Sequence, residues 1–321
     1  MKEGVSFLYT EQELRGIMHF LSEVILSMDS WHMNSVVEHI KSPQVMKAMI
    51  DNDAFVKTHQ ALARNPNASP EILVELYEFS KTKNTNSDFK TILKYILANP
   101  NVPVDFVINL LQSGVLDEYL KDCSTGFALA IAQNQHLPLI VIRELVMHLS
   151  SVGALLEVLR NRKDSLDSTL AEYIYNKMRA IHSTSPLAYA KDLALVKTMP
   201  AHILEAVYHK SHDYKTRVVF ARNPNTPSHI LSKLAFDTNL NVRLAALANS
   251  NMPPETLAKA CHIAASRNIN NAKLILKTIV SNPSCPKEVL LDLTMYHNKF
   301  IADAARKALG HRQSVSLAQA V

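Results

Sequence analysis

Apolar residues recur three, four and seven positions after a single slot, again and again along the chain. Pro227 fills the slot, with Ile230, Leu231 and Leu234 behind it and Asn223 four residues ahead. The frame fits Asn65/Ser69 with Ile72, Leu73 and Leu76, and Asn99/Pro103 with Phe106, Val107 and Leu110. It fits Asn134/Pro138 with Val141, Ile142 and Leu145. It returns at Asn249/Pro253 with Thr256, Leu257 and Ala260, and at Asn282/Pro286 with Val289, Leu290 and Leu293. Worn copies sit at Ser42 (Val45, Met46, Met49) and Pro200 (Ile203, Leu204, Val207), and a further slot near 165 follows Asn161. Spacing of three, four and seven puts one apolar stripe on a helix.

Two adjacent apolar residues precede each Asn, as in Phe220-Ala221 and Ile279-Val280, and mark the end of an earlier helix. Asn tolerates the left-handed conformation that closes a helix, and the proline beyond cannot continue it. Proline at the slot suits the first helical position, where its missing N–H costs nothing. Glu71, Asp105, Glu255 and Glu288 stand two residues on, at the positive end of the helix dipole. Each unit therefore reads as helix, Asn-Pro turn, helix. No such helix buries its stripe alone, so neighbours must stack. The expected fold is all-α: an α-solenoid, a superhelix of about eight to nine repeats.

Residues 1–41 read as an N-terminal helical cap, 42–309 as the solenoid and 310–321 as a flexible tail. Thr10 and Glu13 form a capping box ahead of Leu14, Met18, Leu21, Ile25 and Met28, and a second helix from about Ser30 to Ile40 holds Trp31. Gly310 closes the last helix.

The corner Ala221-Arg222-Asn223-Pro224-Asn225-Thr226-Pro227 and the run Val242-Arg243-Leu244-Ala245-Ala246-Leu247-Ala248-Asn249 resemble the leucine-rich repeat variant family. The resemblance is strongest over 213–309 and faint at 1–41 and 150–212. It implies HEAT- and armadillo-like helix pairs in a right-handed superhelix, and it transfers no active site. Several repeats here are longer than that family's. One founding member carries an iron–sulfur segment ahead of its repeats, but no cysteine precedes Cys123 here, so no cofactor is expected.

Composition changes this picture in one respect. The formal net charge of +5 conceals 19 Lys+Arg against 23 Asp+Glu in residues 1–205, and 15 against 6 in 206–321. A basic half invites an acidic partner or nucleic acid. Lys215, Arg217, Arg222, Arg243, Lys273 and Lys277 are the candidate contacts. Arg217 and Arg243 both stand six before the motif Asn, so stacking aligns them. A base-reading code needs matched side chains in every repeat. The residue before the Asn runs Arg64, Ala98, Gln133, Arg222, Ala248, Ser281, which is no such code.

Only 6 glycines and no glycine-rich phosphate loop are present. Cys123, Cys261 and Cys285 form no disulfide framework or metal knuckle. No signal-peptide core or run of roughly 18 apolar residues occurs, which points to a cytoplasmic protein without a membrane partner. His209 and His212, with His202 upstream, could share a metal, but a polar turn explains them as well. Cys261-His262 are adjacent on a helix and so point apart, and Cys285 fills a turn before a helix. No metal site and no catalytic set is expected. The expected function is a non-enzymatic scaffold that binds a macromolecule, a protein above all, along a groove. The alternative is a nucleic-acid-binding solenoid that uses the basic half.

Overall fold

The computed structural model describes residues 11–28, 30–52, 57–121, 124, 126–181, 189–208, 213–266 and 271–318. The described chain is an all-α helical-repeat fold. It divides into two compact units, residues 1–161 and 162–321, where the apolar pattern predicted a single array.

The first unit holds α1 (Glu11–Ser27), α2 (Ser30–Val37), α3 (Pro43–Ile50), α4 (His59–Arg64), α5 (Pro70–Lys83), α6 (Asn86–Ala98), α7 (Val104–Gln112), α8 (Asp117–Leu120), α9 (Phe127–Gln133), α10 (Leu139–His148) and α11 (Val152–Arg162). Two layers result. Helices α2, α4, α6 and α9 pack in succession, α1, α3 and α5 back them, and α7 packs on α10. Stripe residues Leu73, Leu76, Val107, Ile142 and Leu145 are buried, as their spacing requires. Met18 is buried on α1. Thr10 and the side chains of Leu14, Ile25 and Trp31 lie outside the described residues, so the capping box and the position of the indole are not placed.

The second unit holds α12 (Ser168–Ile181), α13 (Ala190–Leu195), α14 (Ala201–Tyr208), α15 (Tyr214–Arg222), α16 (Ser228–Leu234), α17 (Leu240–Ala248), α18 (Pro254–Ser266), α19 (Ala272–Ser281), α20 (Lys287–Leu293) and α21 (Lys299–Ala318). Helices α13, α15, α17, α19 and α21 pack one on the next. Ile230, Leu231, Leu257 and Leu290 are fully buried. Helix α21 runs through Gly310 to Ala318, where a stop was expected. Glycine weakens a helix by about 1 kcal/mol without by itself ending it, and Gly310 keeps helical backbone with no positive φ.

Within each unit the corners tie successive repeats together in a way the spacing did not disclose. Asn223 is extended, φ −70° and ψ 127°, not left-handed. Asn65, Asn99, Asn134, Asn249 and Asn282 are extended too. A side-chain amide has two N–H donors and one carbonyl acceptor, and each corner Asn uses all three. Asn223 Nδ2 donates to the carbonyls of Ala194 and Val196, both at 2.8 Å. Its Oδ1 accepts the Asn225 N–H at 2.9 Å. Asn249 donates to Ala221 and Asn223, and Asn282 to Leu247 and Asn249. In the first unit Asn65 donates to Val37 and Ile40, Asn99 to Ala63 and Asn65, and Asn134 to Leu97 and Asn99. Most of the acceptors are carbonyls in the last turn or at the C-cap of the preceding helix, beyond the reach of intrahelical bonds, and those at the C-caps, such as Val196 and Asn223, also accept an N–H from their own turn.

A second rail runs two residues further on. Asn101 bonds the Pro66 and Ala68 carbonyls, Asn225 those of Lys197 and Met199, and Asn251 that of Pro224.

The slot itself is the N-cap, one position before the helix starts. Ser42 and Ser69 cap with their hydroxyls, and a proline follows each at the first helical position. Pro103, Pro138, Pro227 and Pro286 are N-caps without a side-chain bond. The slot near 165 lies at Asp167, whose Oδ1 accepts the Leu170 N–H at 2.8 Å. Leu170, Ala171 and Ile174 are its buried stripe. Asn161 is no corner residue, since its amide turns back to the Glu157 carbonyl. The corner-Asn positions of this repeat and of the next, whose slot is Pro200, are therefore Lys163 and Val196. At the second of them the outer rail survives, because Thr198 Oγ1 donates to the Leu166 carbonyl at 2.7 Å.

Candidate binding trough

The second unit carries 21 Lys+Arg against 11 Asp+Glu, a net of +10. Part of that charge gathers over its first-helix layer. Three helices there turn the same four register positions outward: Lys215, Val218, Val219 and Arg222 on α15; Asn241, Leu244, Ala245 and Ala248 on α17; Leu274, Lys277, Thr278 and Ser281 on α19. Each set is spaced i, i+3, i+4, i+7, the signature of one helical face. Lys191 on α13 joins them.

These faces line a hollow of about 850 Å³ over α13, α15 and α17. It shares Val219 and Arg222 with a second hollow of about 370 Å³, and Ala248 and Thr278 with a third of about 270 Å³. The second hollow adds Lys163, Asp164 and Lys197. The three share lining residues and join into one trough over α13, α15, α17 and α19, with a floor of valine, leucine and alanine and with its cations on the helices either side of α17.

Among the described residues the trough has a single acid, Asp164. It pairs with Lys197 at 2.8 Å, and that hydrogen bond holds its carboxyl below the usual carboxylate range. Lys191, Lys215, Arg222 and Lys277 are exposed and pair with no carboxylate among the described residues. The equivalent surface of the first unit differs. There Arg64 binds Glu38 at 2.6 Å and lies 4.8 Å over the Tyr95 ring.

The trough takes in three of the six candidate cations from the sequence, Lys215, Arg222 and Lys277. Arg217 and Arg243 do share a register, but both serve the turn between α16 and α17. Arg217 holds Asp237 with two hydrogen bonds, Nε to Oδ2 at 2.7 Å and Nη2 to Oδ1 at 3.1 Å. The pair is largely buried, the side chains being 19% and 10% exposed. Hydrogen bonding to Asp237 raises the Arg217 pKa. Burial pushes the Asp237 carboxyl up, but Arg217 and the Asn239 N–H outweigh it and hold the group low. Arg243 Nη1 donates to the Asp237 and Thr238 carbonyls. Lys273 sits 4.6 Å over the Phe300 ring, away from the trough lining. Sequence reasoning passed over Lys163, Lys191 and Lys197. The available signal was the place of Lys163 and Lys197 in and beside the corners that lack Asn, and that of Lys191 five residues before such a corner, the register Lys277 holds.

No group of His, Cys, Asp and Glu fit to hold a metal ion occurs among the described residues. His209 and His212 lie outside them, as does Cys123. His202 faces Glu172 at 3.4 Å. Cys261 is buried while His262 is exposed. Burial pushes the Cys261 thiol up to about 11, the wrong direction for a nucleophile. Cys285 is buried as well. No helix among the described residues is long and apolar enough to cross a membrane.

No family model matches this chain, and no curated protein matches it. Among solved structures, the crystal structure of an engineered protein from the Northeast Structural Genomics Consortium is similar over 91% of this chain and 97% of its own, at 17% identity and a TM-score of 0.42.

Proposed function

We propose that this chain is a scaffold of the leucine-rich repeat variant kind, acting in the cytoplasm by binding and not by catalysis. Its partner is a protein, and the trough of the second unit holds a segment of it. One observation carries the reading: four exposed cations, none of them in an ion pair among the described residues, surround an apolar floor. The cations call for acidic side chains, and Val218, Val219, Leu244 and Ala245 offer apolar area that a phosphate backbone has no use for.

The same cations support a second reading, contact with nucleic acid. Single-stranded nucleic acid also draws on aromatic platforms for its bases. Among the described residues, Tyr214 is the one aromatic side chain lining the trough.

Titrating labelled glutamate-rich peptides and a labelled oligothymidylate, at low and physiological salt, separates the two. Peptide binding that exceeds oligonucleotide binding supports the protein reading. Tighter, steeply salt-dependent oligonucleotide binding replaces it with the second. Turnover of a small substrate by the purified protein overturns both.

A further inference from the structure

We infer that the occupant of the trough is an amphipathic helix with acidic flanks, laid lengthwise on α17. This rests on the protein reading above and adds the form and pattern of the bound segment.

The charges are not spread evenly over the stack. The outward face of α17 carries none, being Asn241, Leu244, Ala245 and Ala248. Its neighbours on either side carry the cations: Lys215 and Arg222 on α15, Lys277 on α19. An extended acidic strand or a nucleic-acid backbone crossing the stack would pass α17 without meeting a charge. A segment lying along α17 meets cations on both flanks and apolar surface beneath it.

The dimensions select a helix. Packed helices sit about 8–10 Å apart, so α15 and α19 lie about 16–20 Å from each other across α17. A helix with its side chains is about 10–12 Å wide, and fits between the two rows. Ala245 and Ala248 are small enough to let it approach closely. Lys215 and Arg222 are seven residues apart on α15, about 10.5 Å along the axis at 1.5 Å per residue. Two acids seven residues apart on one flank of the occupant would meet them. In register number Lys277 falls between those two levels, so a third acid belongs mid-length on the other flank. Between the flanks runs a Leu/Ala stripe at helical spacing, the helix-in-groove mode of recognition.

The test uses the full chain and three labelled probes. The first is a peptide with that acid pattern and stripe, the second the same residues in scrambled order, and the third an oligothymidylate. Anisotropy reads affinity, and circular dichroism reads helix gained by the peptide on binding. The patterned peptide is expected to bind at least about tenfold tighter than the scramble and to gain helix. Lys215→Glu with Arg222→Glu should weaken it about tenfold or more. Ala248→Glu, at an exposed position, should do so as well. Lys233→Glu with Lys259→Glu, the same charge change as the double variant but on α16 and α18 outside the trough, should leave it unchanged. Matching melting temperatures establish that the variants are folded. If scramble and patterned peptide bind alike, the helix inference falls while the protein reading stands. If only the oligonucleotide binds, or no probe binds at low salt, both fall.

Discussion

Replacing Asn223 tests the corner rail directly. Asn223→Ala removes two donated hydrogen bonds of 2.8 Å, to Ala194 and Val196, and one accepted bond of 2.9 Å from the Asn225 N–H. The residue is 4% exposed, so little water is at hand to replace them. At about 0.5–1.5 kcal/mol net per bond, the three together are worth about 3 kcal/mol. The buried Ala194 carbonyl loses its donor while that of Val196 keeps the Met199 N–H at 3.1 Å, so the cost should fall within about 2–5 kcal/mol. Two further variants separate the rail from a turn preference. Asn223→Gly would restore stability if left-handed backbone were the point, but φ is −70°, so glycine should do no better than alanine. Asn223→Asp keeps the shape and the acceptor, loses both donors and sets a carboxylate against two carbonyls, so it should be the least stable of the three. Urea unfolding followed by circular dichroism gives each midpoint and slope. Aspartate and alanine variants within about 0.5 kcal/mol of the parent, or a glycine variant equal to it, would refute the rail.

Other expectations follow from the same contacts. Leu231→Ala and Leu290→Ala, both at fully buried positions, should each cost about 2–5 kcal/mol by the same urea assay. Arg217→Met should cost about 1.5–3 kcal/mol at neutral pH by stranding Asp237. Because the folded-state pKa of Asp237 is depressed, this stabilisation is complete above the unfolded value near about 4 and is lost as pH falls through the folded value. The gap between parent and Arg217→Met should therefore narrow in acid, and a gap that holds constant to pH of about 2 would contradict it. In a Cys123→Ser background, Cys261 and Cys285 should resist a thiol reagent near neutral pH until the chain unfolds. Burial shields both from the reagent and the raised Cys261 pKa leaves that thiol with little thiolate to react, so prompt labelling of the native protein would refute it.

Much of the fold was legible because helical burial is periodic. Ile230, Leu231 and Leu234 announce their common face by spacing alone, and all three are buried. The chemistry of the corners was not legible. The partners of Asn99 are Ala63 and Asn65, a whole repeat upstream, and spacing shows that an Asn recurs without showing what it touches. Local preference then suggested left-handed backbone, and tertiary hydrogen bonding decided otherwise. Asn161 misled for a related reason. It ends an apolar run like the others, yet its amide is spent on its own helix, and the true slot is Asp167. The trough was half legible. A charge count divided at residue 205 hid Lys191 and Lys197 in the acidic half, while division at the unit boundary includes them. The shared register of Arg217 and Arg243 was read correctly, but that register faces the Asp237 turn.

The slots Pro227 and Pro253 are 26 residues apart, and Pro103 and Pro138 are 35 apart. The amide that links consecutive corners nevertheless spans the same few ångströms, 2.8 Å from Asn249 to Ala221 and 3.1 Å from Asn134 to Leu97. Each unit thus has one edge of metered pitch and one edge free to vary. Added chain collects at the free edge, as the four-residue helix α8 does. A peptide grafted among Ser113–Leu116 would lengthen one repeat without shifting any corner, whereas one inserted residue between Asn223 and Pro227 would put that repeat out of step with its neighbours.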